Sequence, residues 1–194
     1  DPDDEVLYLT EDDPGGKFYR FTPDAYPDLS AGRLEAAVVA SDGSVTWTAV
    51  ADPSGTTAPT RDQVPDATTF PGNEGIWYHD RTIVFTSKGD NRVHAIDLDA
   101  QRYSRLWDGS STDPLSGVDN ITVAAASGDV FVAEDGGNME VVLVTPEGDV
   151  VPFVRVVEPG HEESEITGPA FSPDGTRLYF SSQRGPTPGT LAEI

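Results

Sequence analysis

Residues 117–134, GVDNITVAAASGDVFVAE, decide the fold. Ile121-Thr122-Val123 and Val130-Phe131-Val132 are short β-branched and aromatic runs, and Ser127-Gly128-Asp129 between them is a turn sequence. The stretch therefore predicts two strands joined tightly. So short a connection joins antiparallel strands, because parallel strands need a crossover of a dozen residues or more. Working outward, segments resembling Asp129–Glu134 recur as Val6–Glu11 (VLYLTE), Thr82–Ser87 (TIVFTS) and Arg177–Ser182 (RLYFSS). Their last residues are 11, 87, 134 and 182, giving intervals of 76, 47 and 48 residues. A period of about 40–50 residues with several strands per unit is the signature of a propeller blade.

The rest of the unit repeats as well. Lead strands are expected at Ile76-Trp77-Tyr78 and Ala170-Phe171, with turns at His79-Asp80 and Ser172–Gly175. Outer strands are expected at Arg92–Asp97, Val141–Val144 and Val150–Val157. The expected fold is an all-β β-propeller of about four blades, or part of a larger, six-bladed ring. Residues 1–194 form one propeller domain or the C-terminal portion of one. Residues 51–70, rich in Pro, Thr, Asp and Gly and without apolar periodicity, read as a long surface loop that lengthens the first interval. The sequence stops soon after an innermost hairpin, so pairing with further blades or another copy of the chain is expected at the open edge.

Composition excludes several functions. Twelve Lys and Arg face 34 Asp and Glu, a formal charge of −22. Nucleic acid and anionic membranes are poor partners for such a chain, since both require a basic face. With no cysteine, disulfides, thiolate catalysis and cysteine zinc sites are absent. His79, His94 and His161 are too far apart for a His-x-x-x-His zinc pair, and no nucleophile elbow or phosphate-binding lysine loop occurs.

In a propeller, the starts of the innermost strands face a shared channel. Glu74, Asp119-Asn120 and Glu165 precede such strands, and Glu11-Asp12 and Glu134-Asp135 end the next ones. Convergent carboxylates repel unless a cation neutralises them, and an oxygen-only donor set suits Ca²⁺. Candidate metal ligands are therefore Glu11, Glu74, Asp119, Asn120, Glu134 and Glu165. Gly15-Gly16 and Gly136-Gly137 beside them permit close backbone approach. Arg184, after an innermost hairpin, is a candidate anion clamp for catalysis.

Four of these segments, VLYLTEDDPGGKFYRFTP, GNEGIWYHDRTIVFTSKGDNRVHAIDL, GVDNITVAAASGDVFVAEDGGNMEVVLVTPEG and SEITGPAFSPDGTRLYFSSQRG, resemble the PhoX-type alkaline phosphatases. The resemblance implies a secreted or periplasmic propeller phosphomonoesterase acting on a small phosphate ester, with calcium and ferric iron (Fe³⁺) in the channel. It also implies that Glu11, Glu74, Glu134 and Glu165 are channel carboxylates and Asp119-Asn120 a calcium-binding step. The family's iron cluster uses a cysteine thiolate, which this chain lacks. Two other readings fit the same carboxylates: a calcium-stabilised, non-catalytic binding module, and a calcium-dependent lactonase or phosphotriesterase.

Overall fold

Each expected hairpin forms. Trp77 pairs with Val84, Val123 with Val130, and Phe171 with Leu178, all antiparallel. The computed structural model describes residues 1–109, 114–135, 138–162, 164–185 and 190–193. These make four antiparallel sheets with one 3-10 turn, Thr60–Asp62, and no α-helix. The first sheet holds β1 (Leu7–Thr10), β2 (Phe18–Ala25), β3 (Asp28–Val39) and β4 (Val45–Ala49). The second holds β5 (Asn73–His79), β6 (Thr82–Ser87), β7 (Arg92–Asp97) and β8 (Arg102–Asp108). The third holds β9 (Val118–Val123), β10 (Val130–Glu134), β11 (Glu140–Val144) and β12 (Val150–Arg155). β13 (Ile166–Phe171), β14 (Leu178–Ser182) and β15 (Thr190–Glu193) form the fourth. Strands neighbour one another in chain order, the meander of a propeller blade.

Why the sheets stack face to face follows from the period-two geometry of the buried strands. In β6, Ile83 and Phe85 point into a core shared with the first sheet, while Val84 points into the core shared with the third. In β10, Val130 and Val132 face the second sheet and Phe131 and Ala133 the fourth. A strand apolar on both faces thus reads as a continuous hydrophobic run. The first core is aromatic: Phe18 stacks on Phe85 at 4.4 Å between centroids, and Phe70 meets Phe85 edge-on at 5.0 Å. Burying one such ring stabilises by about 2–3 kcal/mol.

Residues 51–70 divide into two parts. The first half is largely solvent-facing, whereas Val64, Ala67 and Phe70 are buried. Buried Lys17 anchors the second half, its Nζ donating to Ala67 O at 2.9 Å and Thr69 Oγ1 at 2.6 Å.

Candidate metal centre

The inner strands are fastened to one another at the end where the acidic residues lie. Thr10 Oγ1 donates to Glu74 O at 2.7 Å, and Thr86 Oγ1 donates to Asp119 O at 2.5 Å. A hydroxyl on the first sheet and one on the second thus hold the backbone of the next sheet's acidic residue. Gly75 lets β5 and β9 touch: a Cβ there would stand 2.6 Å from Asp119 O and 2.7 Å from Ile121 N. Asn120 continues the chain of contacts, its Oδ1 accepting from Thr167 Oγ1 at 2.6 Å and Gly168 N at 2.8 Å. Asn120 Nδ2 donates to Asp119 Oδ1 at 2.8 Å, steadying that carboxylate.

At this hub, single oxygens of Asp119, Asp135 and Glu165 lie within 4.8 Å of one another. Glu74 stands beside Asp119, and its carboxyl is pushed up to about 7, first by burial and then by the charges of Asp119 and Asp12. Burial also raises Asp119 and Glu165, while hydrogen bonding from Glu165 and Lys88 lowers Asp135. Such mutual perturbation marks carboxylates held close with too little compensating charge. Among the described residues, the cations at the hub are Lys88, whose Nζ sits on Asp135 Oδ2, and Arg184, whose Nη2 lies 2.8 Å from Glu165 Oε2 and 3.2 Å from Asp135 Oδ1. A cavity of about 360 Å³ lined by Asp12, Glu74, Lys88 and Gly72 opens beside them. The three clustered oxygens, drawn from β9, the loop after β10 and the segment before β13, fit a hard cation such as Ca²⁺ by donor type and number, with water completing the shell.

Three candidate ligands are engaged elsewhere, Asn120 among them, since its Oδ1 already accepts from Thr167 and Gly168. Glu134 is fully buried and accepts from Ser116 N at 2.8 Å and Glu140 N at 3.2 Å. Glu11 accepts from Lys17 N at 3.2 Å, Tyr19 Oη at 2.7 Å and Arg61 Nη1 at 2.8 Å. Glu134 and Glu11 are equivalent: each stands at the end of its strand and takes the N–H six residues on. Ser87 and Ser182 hold the same position in the other sheets. Ser87 Oγ donates to Asp90 Oδ1 and accepts from His94 Nε2 at 2.6 Å, leaving His94 Nδ1 to accept from Tyr103 Oη at 3.0 Å. Ser182 Oγ meets His161 Nδ1 at 2.6 Å and Ser164 Oγ at 2.8 Å. The Ser87, His94 and Asp90 group is no hydrolytic triad, because Ser87 and His94 are buried and the carboxylate bonds the serine, not the histidine.

The position after each of these fastening residues differs in character. It holds Asp12, Lys88, Asp135 and Gln183, and Asp12, Lys88 and Asp135 act on the hub electrostatically. Asp135 and Lys88 were not among the ligands expected from sequence; the signal was the acidic pair Glu134-Asp135, of which the second member turns to the hub. Of the glycine pairs, Gly136-Gly137 lies outside the described residues. Gly16 is required where it stands, since a Cβ would fall 2.1 Å from Glu11 O.

The fold has counterparts among solved structures. The calcium-binding protein regucalcin of Agrobacterium tumefaciens is similar over 98% of this chain and 61% of its own, at 20% identity and TM-score 0.51. Virginiamycin B lyase of Staphylococcus aureus is similar over 97% of this chain and 73% of its own, at 17% identity and TM-score 0.50. The chain thus spans about three fifths of the regucalcin it matches, and the architecture is that of a partial β-propeller. No curated protein matches the sequence significantly. No helix among the described residues is long and apolar enough to cross a membrane. The family model for alkaline phosphatase PhoX matches residues 84–189, more than half the chain and the stretch that supplies Lys88, Asp119, Asp135, Glu165 and Arg184, so the chain belongs to the PhoX alkaline phosphatase family.

Proposed function

We propose that the protein is an exported, metal-dependent phosphomonoesterase that hydrolyses small phosphate esters at the propeller hub. Family membership supports the reaction class. The observation that carries the site is the meeting of Asp119, Asp135 and Glu165 oxygens within 4.8 Å. These three, with Glu74 beside them, would hold Ca²⁺, and Fe³⁺ shares their preference for oxygen donors. Bound metal supplies Lewis-acid polarisation of phosphoryl oxygens and a water of lowered pKa. The chain's own residues orient and neutralise. Asn120 fixes Asp119, Thr86 and Gly75 fix the strand that carries it, and Arg184 stands where it can meet the charge that spreads over a phosphoryl group in transfer.

Phosphate release from an aryl phosphate, measured with Ca²⁺, with Fe³⁺ and after chelation, tests the proposal, alongside elemental analysis of the purified protein. Release that chelation abolishes is the expected result. Chelation that lowers the melting temperature of a protein inactive with either metal would favour the binding module, and turnover of a lactone blocked by Glu74→Gln would favour the lactonase.

A further inference from the structure

Lys88 and Arg184 occupy the oxygens a cation would need. Lys88 Nζ lies on Asp135 Oδ2, and Arg184 Nη2 reaches Asp135 Oδ1 and Glu165 Oε2. Nothing in the fold asks for a cation where Lys88 stands, because the equivalent position carries Asp12, Asp135 or Gln183 in the other sheets. Lysine is also rare here: the sole other one, Lys17, is buried as a loop anchor. Both hub cations have fixed roots and solvent-reachable ends. Lys88 N donates to Gly72 O at 2.8 Å and Arg184 N to Ser164 Oγ at 2.7 Å, while their side chains are 37% and 53% exposed.

We propose that Lys88 and Arg184 are exchangeable counterions: in the metal-free protein they neutralise Asp135 and Glu165, and when a divalent cation takes those oxygens they turn to bind the phosphoryl group of a phosphate monoester. The inference rests on the reading of the hub as a cation site and adds how that site recognises its substrate. Glu74, Asp119, Asp135 and Glu165 outnumber the two cations, so the hub lacks positive charge that a divalent ion supplies, and like-charge repulsion then turns the ammonium and guanidinium off the shared oxygens while both remain beside the hub. Two freed positive charges match the dianion of a monoester better than the monoanion of a diester. Guanidinium suits planar contact with two phosphoryl oxygens, and ammonium supplies a point charge.

The test is calorimetric and needs no turnover. Metal-stripped protein is titrated with Ca²⁺, then with phenylphosphonate in the presence and absence of Ca²⁺, for the wild type, Lys88→Met, Lys88→Arg and Arg184→Met. In the wild type, Ca²⁺ is expected to tighten phenylphosphonate binding at least about tenfold, and phenylphosphonate to tighten Ca²⁺ binding by the same factor. Lys88→Met is expected to bind Ca²⁺ about tenfold more tightly and to lose the coupling, with Lys88→Arg retaining it. Arg184→Met should move both quantities in the same direction. The monoanionic methyl ester of phenylphosphonate should show the smaller coupling. Lys88→Met binding Ca²⁺ no more tightly than the wild type, or keeping full coupling, would overturn the exchange while leaving the cation site standing. Absence of Ca²⁺ binding in all four proteins would overturn both.

Discussion

Lys88 and Arg184 hold opposite oxygens of one carboxylate, Asp135, and so join the second and fourth sheets through a residue of the third. Partly exposed pairs of this kind contribute little to folding, on the order of 0–1 kcal/mol each. Asp135→Asn is therefore expected to leave the melting temperature nearly unchanged. Its Ca²⁺ affinity, read by calorimetry, should fall at least about tenfold, as for other losses of a carboxylate near a cation. An unaltered affinity would remove Asp135 from the centre.

Glu134 predicts the opposite pattern. Its carboxylate satisfies two backbone N–H groups in a fully buried setting, so Glu134→Ala leaves both without a partner. Each such loss costs roughly 1–3 kcal/mol. Chemical denaturation should show a drop of that order or twice it, and Ca²⁺ bound per folded molecule should stay at the wild-type value. A folded Glu134→Ala protein devoid of Ca²⁺ would return Glu134 to the ligand set.

Gly75→Ala separates site geometry from ligand chemistry, since it changes no charge. The added methyl meets backbone atoms of Asp119, Asn120 and Ile121 at 2.6–2.9 Å, and backbone cannot swing aside. The second and third sheets must part at the hub, with a cost of about 1–3 kcal/mol from overpacking. Weakened Ca²⁺ binding is expected to accompany the lower stability, and wild-type affinity in a destabilised variant would show that the contact serves packing alone.

Acid stability should report on His94. Burial lowers its pKa from 6.5 to about 4. Between those values the unfolded chain holds the extra proton, so this histidine stabilises the fold fully above pH 6.5 and ceases to do so as pH falls through 4. The stability lost between pH 6.5 and pH 4 is on the order of 3 kcal/mol, since each tenfold change in proton affinity is worth about 1.4 kcal/mol. His94→Phe should flatten the acid limb of the stability curve between pH 6.5 and 4 relative to the wild type. Parallel curves would show that other groups govern it.

Much of the fold was legible because β6 and β10 are apolar on both faces and β14 opens with Leu178-Tyr179-Phe180, which gives runs that stand out at a regular interval. The first sheet was harder to read. β2 and β3 carry Pro23, Asp24, Gly32 and Arg33, and their outer portions are exposed, so no run of comparable contrast marks them. At the hub, Glu74, Asp119, Glu165 and Arg184 were legible from their place before or after inner strands. Glu11 and Glu134 share that placement and yet turn inward to hold their own loops. Sequence position could not separate Glu134 from Asp135, because the register shift between Val132 and Glu134 alters which neighbour faces the hub. Lys88 escaped notice because a single cation in an acidic chain has no pattern to betray it.

In each sheet, the residue that fastens the loop and the residue offered to the hub are consecutive but separate. A cradle is secured by Glu11, Ser87, Glu134 or Ser182, and the next position is then at liberty to be acidic, basic or amide without loosening the cradle. The hub's charge can consequently be rewritten one letter at a time on an unchanged scaffold. That division of labour gives the propeller room to diversify its chemistry by substitution at positions 12, 88, 135 and 183.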